Sequence, residues 1–301
     1  MAEALSAARP GTIRVWLLAI RPPTLTAAIA PVLVGSALAI RDDVFAGGAA
    51  GAALFGALAL QVGANLANDV ADFRLGADDE GRLGPPRVTQ QGMLSQRAVT
   101  VGALIAFALA AAAGFYLASV AGWPVIAIGL ASILAAVAYT AGPWPYGYRG
   151  LGDVFVFVFF GVLAVAGTYF VQATELTGEA IAASIPVALT VTAILNVNNV
   201  RDIDTDRRAG KLTLAVRLGR RLARWQFVVT LAGAYVAVTA LWALGEFPAT
   251  VLLAWVTLPL AIRPARDVLR YEDGPSLNRA LRETARLHLA LAVLLAIGLT
   301  L

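Results

Sequence analysis

Two short stretches of the chain place carboxylates and amides where a cation could be shared. Asn65, Asn68 and Asp72 are separated by three and four residues, and Asn198, Asp202 and Asp206 by uniform steps of four. Residues at those separations share a helix face. Like-charged carboxylates on one face repel unless a cation lies between them. Mixed with amide oxygens they suit Mg²⁺, which takes few protein oxygens and completes its shell with water and phosphate. Two such stripes facing each other could hold two or more Mg²⁺ around one diphosphate. The candidate metal ligands are therefore Asn68, Asp69, Asp72, Asp78, Asp202 and Asp206, with Asp79, Glu80 and Asp204 nearby. The bland alternative is a set of solvated helix-end acids balanced by arginines. Two matched clusters, each led by asparagine on an apolar segment, argue against it.

Basic residues accompany the acids. Arg74, Arg82, Arg87, Arg149, Arg201 and Lys211 lie within or beside the same polar stretches. Arginine forks bind phosphate oxygens bidentately, whereas lysine acts as a point charge. Lys211 is the sole lysine of the chain. Arg74, Arg87, Arg149, Arg201 and Lys211, with Asn65, Asn68 and Asn198, are candidate substrate-binding residues. Arg207, Arg208, Arg217, Arg220 and Arg221 read instead as lipid-surface contacts. Cysteine is absent and His288 is the single histidine, which removes disulfides, thiolate nucleophiles, iron–sulfur clusters and histidine-rich metal sites.

The elements that must position these residues belong to a membrane. Apolar residues make up 59% of the 301 residues and charged residues 14%, against roughly 25% charged in a soluble domain. With about 20 apolar residues needed to span a bilayer, nine segments emerge, near 15–40, 44–67, 98–118, 123–141, 152–172, 180–200, 223–243, 247–262 and 284–301. This predicts an all-α polytopic bundle forming a single transmembrane domain over residues 1–301. Long polar loops at about 73–97, 142–151, 201–222 and 263–283 alternate with short ones, so they share a side. All of the 23 Lys and Arg except Arg41 fall in the N-terminal segment, in those long loops or at their helix ends. The positive-inside rule then predicts a cytoplasmic N-terminus and an outer C-terminus in the cell membrane. The net charge of +4 faces anionic lipid rather than nucleic acid. Arg21-Pro22-Pro23 interrupts the first apolar run, which argues for a broken first helix over a cleavable signal peptide. Asn68-Asp69-Val70-Ala71-Asp72 and Asn198-Asn199-Val200-Arg201-Asp202 both read N-x-V-x-D. They suggest two similar four-helix halves plus a final helix.

At these residues the chain resembles the UbiA superfamily of intramembrane aromatic prenyltransferases. The resemblance rests on Asn68–Asp72 and on Asp202-Ile203-Asp204-Thr205-Asp206, each followed by a polar loop, and runs across essentially the whole chain. It is most similar to the 1,4-dihydroxy-2-naphthoate branch of menaquinone synthesis. That likeness is carried by Arg21-Pro22-Pro23-Thr24-Leu25, Tyr139 with Gly142-Pro143, Tyr148-Arg149-Gly150-Leu151-Gly152-Asp153, and Gly210-Lys211-Leu212-Thr213-Leu214. The superfamily's third Asp of the first motif would fall at position 76, which is Gly; Asp78 takes its place in this branch.

The resemblance implies a Mg²⁺-dependent transfer of a polyprenyl group from its diphosphate to 1,4-dihydroxy-2-naphthoate, with loss of diphosphate and CO₂. Asp72, Asp202 and Tyr139 would be catalytic, and Tyr148 would join the substrate-binding set. Trp144, Tyr146 and Tyr148 are further aromatic faces for an allylic cation, or else members of an interfacial belt. The prenyl tail would lie between helices, open to lipid. Protein partners are not indicated.

A secondary transporter would place its charges near the bilayer midplane, often on broken helices in inverted repeats; here both motifs end helices on one side. An alcohol phosphotransferase would carry one composite Asp–Gly–Ala–Arg motif, which is absent. A sister enzyme using 4-hydroxybenzoate, homogentisate or a chlorin acceptor would share the same diphosphate half of the site. His288 and the small-residue spacings of Gly47 with Gly51 and Ala52 with Gly56 read as packing features.

Overall fold

The computed structural model describes residues 11–75, 83–84, 87–245 and 247–301, and the regular elements among them are all helical. The first apolar segment breaks as its prolines require. Helix α1 (Thr12–Ile20) ends at Arg21, which adopts a left-handed conformation (φ 57°), and a 3₁₀ turn over Pro22–Leu25 leads into α2 (Thr26–Arg41). The chain continues through α3 (Gly47–Arg74), α4 (Gln96–Ala121) and α5 (Pro124–Ala138). A 3₁₀ turn at Tyr146–Arg149 precedes α6 (Gly152–Val156), a π-helical stretch over Phe157–Val162, and α7 (Leu163–Ala173). Then come α8 (Gly178–Arg208), α9 (Leu214–Ala243), a 3₁₀ segment over Ala249–Thr257, α10 (Leu258–Arg270) and α11 (Gly274–Thr300).

Helix starts follow local capping chemistry. Ser95, Thr177, Thr213 and Asp273 each accept a backbone N–H three residues on, at 3.2, 3.1, 3.3 and 2.8 Å. Such caps satisfy donors that the first turn leaves orphaned. Proline stands in the first turn of α5 and α11, where no intrahelical donor is lost.

Among the described residues, seven helical spans are long and apolar enough to cross a membrane: Pro22–Arg41, Gly47–Arg74, Gln96–Ala121, Gly152–Ala173, Gly178–Arg208, Leu214–Ala243 and Gly274–Thr300. Two of the nine predicted segments take a different form. The one at 123–141 folds as the 15 residues of α5, about 22 Å of helix against a hydrocarbon core of about 30 Å. The one at 247–262 is divided between the 3₁₀ segment and α10, which carries Arg263, Arg266 and Arg270. Several helices also run past their apolar stretch: α3 reaches Arg74 and α8 reaches Arg208, so both N-x-V-x-D motifs are fully helical.

The largest core joins α2, α7, α8, α9 and α11 around Leu38, Val187, Phe227, Leu277 and Leu291. A smaller one joins α1, α3 and α4 around Val15, Leu66 and Val99. Close approach is enforced at Gly161, where a Cβ would lie 2.1 Å from the Ala188 Cβ of α8. Outward faces remain strongly apolar, including Leu104, Phe115, Leu130, Val229 and Val256. A patch that wide is the signature of a lipid-facing surface.

Candidate active site

Helices α3 and α8 bring the two motifs to opposite sides of one cavity of about 250 Å³. Asn65, Asn68 and Asp72 line it from α3, and Asn198, Asp202 and Asp206 line it from α8. The predicted stripes therefore meet as their helical spacing requires. Arg21, Arg87, Tyr139, Tyr146 and Lys211 complete the polar wall.

Asp72 is almost wholly buried and is held at both oxygens. Arg87 Nη2 donates to Oδ2 at 2.7 Å, and the Tyr148 hydroxyl donates to Oδ1 at 3.2 Å. On the opposite wall Arg201 grips Asp202 with Nε (2.8 Å) and Nη2 (2.6 Å). The same guanidinium donates to Asn198 Oδ1 at 2.8 Å and to Asn278 Oδ1 at 2.7 Å. Arg201 is 2% exposed and stands behind the cavity wall. Its hydrogen bonds fix the side chains of Asn198 and Asp202, both of which line the cavity.

Lys211 is delivered by the turn after α8. Its backbone N–H donates to Asp206 O (2.8 Å), and Leu212 N–H donates to Tyr148 O (3.0 Å), which joins this turn to the one carrying Tyr148. The ammonium lies 4.0 Å from Asp206 Oδ1 and above the rings of Tyr148 (5.2 Å) and Tyr139 (5.9 Å). Burial opposes its charge. The neighbouring Asp72, Tyr139, Asp206 and Tyr148 outweigh burial and raise the ammonium above the ordinary lysine range. Burial, followed by the Asp72 carboxylate, also pushes the Tyr148 hydroxyl up, so it stays a proton donor.

Other predicted residues occupy different places. Asp69 is buried outside the cavity lining, accepting the Thr89 N–H at 3.1 Å with Arg21 Nη2 at 3.7 Å. It stands four residues after Asn65 and three before Asp72, a spacing that would admit it to the same face, but its carboxylate is taken up by the Thr89 backbone instead. Arg74 lies exposed at the end of α3 with Nε 3.3 Å from Gln96 Oε1. Arg149 is exposed and stacks over Trp144 at 5.0 Å. Asp78 and Arg82 fall outside the described residues.

Several contributors carried no sequence signal of their own. Thr24 accepts Asn65 Nδ2 at 2.8 Å, and Thr140 donates to Asn68 Oδ1 at 2.7 Å. Asn278, on α11, supports Arg201 from 77 positions away in the chain. Asp153, quoted above only as part of a motif, is buried and accepts hydrogen bonds from Asn196 and Gln226. His288 is fully buried with Nδ1 2.7 Å from Thr190 Oγ1, a packing position between α11 and α8.

A second cavity, apolar and of about 330 Å³, is lined by other residues of α3 and of the π-helical stretch. Neighbouring residues divide between the two: Leu60 and Phe159 line the apolar cavity, Gln61 and Phe160 the polar one. The π-helical stretch at Phe157–Val162 adds a residue to the turn there, a distortion often found beside functional sites.

Comparison with known proteins agrees with this architecture. The chain is 39% identical over 293 residues to the 1,4-dihydroxy-2-naphthoate octaprenyltransferase of Escherichia coli, covering 94% of each chain. It is also 39% identical over 285 residues to the Mycobacterium tuberculosis protein of the same name, covering 92% of this chain and 94% of the relative. Among solved structures, a UbiA homolog from Archaeoglobus fulgidus bound to GPP and Mg²⁺ superposes with a TM-score of 0.66 at 16% identity, covering 93% of this chain and 99% of that one. The model of the UbiA prenyltransferase family matches residues 28–297, and the chain belongs to that family as an integral membrane protein.

Proposed function

We propose that the protein transfers a polyprenyl group from its diphosphate to 1,4-dihydroxy-2-naphthoate, releasing diphosphate and CO₂ and yielding a demethylmenaquinol. The observation that carries this reading is the gathering of Asn68 and Asp72 with Asn198, Asp202 and Asp206 around one cavity, with a separate apolar cavity lined by the same helix α3. An amphiphile with a phosphate head and a hydrocarbon tail suits that pair of environments. The naphthoate acceptor is supported by the names of the relatives at 39% identity.

The oxygen-only donor set fits Mg²⁺. Mg²⁺ takes few protein oxygens and keeps waters and phosphate oxygens, which the carboxylates and amides lining this cavity could accommodate. Asn68, Asp72, Asp202 and Asp206 would hold it, with Asp78 as a further ligand. Asp69 would act through its bond to Thr89 rather than from the cavity wall. When bound, Mg²⁺ supplies neutralisation of the diphosphate charge.

The chain's own residues supply the rest. Lys211 and Arg87 add positive charge where the departing diphosphate accumulates negative charge. Arg201 keeps Asn198 and Asp202 aimed at the cavity, and Tyr148 does the same for Asp72. Tyr139 and Tyr146 meet edge to face at 5.4 Å on the cavity wall and offer electron-rich surfaces to an allylic cation. As the allylic C–O bond breaks, its electron pair leaves with diphosphate. The ring carbon bearing the carboxylate bonds to the prenyl carbon, and the carboxylate C–C pair returns to the ring as CO₂ departs. The crowding of Lys and Arg in the long loops supports a site that faces the cytoplasm.

The test uses purified protein in nanodiscs with octaprenyl diphosphate, Mg²⁺ and 1,4-dihydroxy-2-naphthoate. Parallel reactions contain 4-hydroxybenzoate, EDTA, or the Asp72→Ala and Asp202→Ala variants. The expected product is the prenylated, decarboxylated naphthoquinol, lost with EDTA and with either variant. Product from another acceptor alone would overturn the naphthoate assignment, and no product from any aromatic acceptor would overturn prenyl transfer.

A further inference from the structure

Gln61 lies one helical turn before Asn65 on α3, faces the same cavity and is 8% exposed. Its Oε1 is sealed from solvent without a hydrogen-bond partner among the described residues. The other amides of the cavity are engaged. Asn65 Nδ2 donates to Ile20 O and Thr24 Oγ1, Asn68 Oδ1 accepts from Thr140, and Asn198 Oδ1 accepts from Arg201. A buried carbonyl oxygen left without a donor is costly, and native structures match such groups with something.

Neither part of a prenyl diphosphate supplies that match. Its head presents chiefly acceptor oxygens and its tail presents hydrocarbon, while a carboxamide oxygen needs an O–H or N–H. A hydroxyl of the aromatic acceptor provides one. Gln61 also stands about 16 Å along the helix axis from Asp72, away from the diphosphate end of the cavity. It lines the same cavity as Thr24, whose hydroxyl meets Asn65 one turn further along α3.

We infer that Gln61 is a specificity-determining residue whose amide oxygen accepts a hydrogen bond from the ring hydroxyl remote from the acceptor's carboxylate. The hydroxyl adjacent to a carboxylate is already bonded to it within the molecule. The remote hydroxyl is the one that must find a protein acceptor when buried. This inference rests on the aromatic-acceptor reading above.

The test compares wild type with Gln61→Met, which keeps the volume and removes the hydrogen bond, and with Gln61→Glu, which keeps an acceptor oxygen. KM is measured separately for 1,4-dihydroxy-2-naphthoate, for its 1-hydroxy-2-naphthoate analogue and for the prenyl diphosphate. Gln61→Met is expected to raise the dihydroxynaphthoate KM about tenfold while the diphosphate KM stays within about twofold. It should also erase the wild-type preference for the dihydroxy acceptor, and Gln61→Glu should retain that preference. A Gln61→Met protein that still prefers the dihydroxy acceptor, or whose two KM values rise together, overturns the inference alone. So does a Gln61→Glu protein that loses the preference as fully as Gln61→Met. Wild-type protein that prenylates neither naphthoate overturns the functional reading and the inference with it.

Discussion

Arg201 holds the carboxylate of Asp202, its neighbour in sequence, in a two-pronged grip of 2.8 and 2.6 Å while almost completely excluded from solvent. Adjacent helical residues ordinarily point about 100° apart. The length of the arginine lets it fold back and stiffen a carboxylate that would otherwise swing.

Removing that grip should be costly. Arg201→Ala leaves Asn198, Asp202 and Asn278 without their donor, and each lost hydrogen bond involving a charged group is worth about 1.5–3 kcal/mol. Activity should fall on the order of 100-fold, equivalent to about 2.7 kcal/mol in the barrier. Arg201→Lys should recover little, because an ammonium cannot reproduce a planar fork. Steady-state kinetics beside thermal unfolding in detergent checks this; full activity in Arg201→Lys would show that charge alone suffices.

Lys211 gives a prediction about pH. Its folded-state pKa is raised, so its charge-dependent stabilisation is fully present below the unfolded value of about 10.4. That stabilisation disappears only as pH rises through the still higher folded value. The ratio of diphosphate KM in Lys211→Met to that in wild type should therefore exceed about tenfold and stay flat from about pH 6 to 9.5. A ratio that collapses toward one within that window would place the lysine titration inside it.

Gly161 tests packing around the π-helical stretch. An alanine methyl there would meet Ala188 Cβ at 2.1 Å and Cα at 2.4 Å, so α8 must shift. The expected destabilisation is about 1–3 kcal/mol. Gly167, further along in α7, has nothing within 4 Å of where an alanine methyl would sit. Gly167→Ala should be neutral or stabilising by about 0.5–1 kcal/mol. Comparable melting temperatures for the two variants would refute the close-contact account.

Much of this architecture was legible from residue types. Apolar stretches located the helices, Arg21-Pro22-Pro23 located the break in the first one, and three-and-four spacing found the faces that meet across the cavity. What escaped was whatever depends on long-range docking. Arg87 reaches Asp72 from the loop, and Asn278 reaches Arg201 from α11, and neither partnership leaves a periodicity. Asp69 shares the three-and-four spacing of Asn65 and Asp72, and what sets it apart is the docked Thr89 backbone N–H that its carboxylate accepts. Nine apolar segments stand against seven long spans among the described residues because hydropathy registers α5 and the 247–262 segment without revealing that one is short and the other changes helix type.

Helix α3 carries a graded lining. Asp72, Asn68 and Gln61 line the polar cavity from its C-terminal half, and Leu60, Ala57, Gly56 and Ala53 line the separate apolar cavity from its N-terminal half. Water-loving groups thus give way to hydrocarbon in the space of a few turns. A two-ended molecule laid along this helix has one stable heading, because reversing it would strand phosphate among methyl groups and expose its tail to charge. Substrate polarity is sorted before any single atom is recognised, and a headgroup cannot slide past the point where polar lining ends. The reacting carbon, at the junction of head and tail, is brought to one depth by that sorting alone.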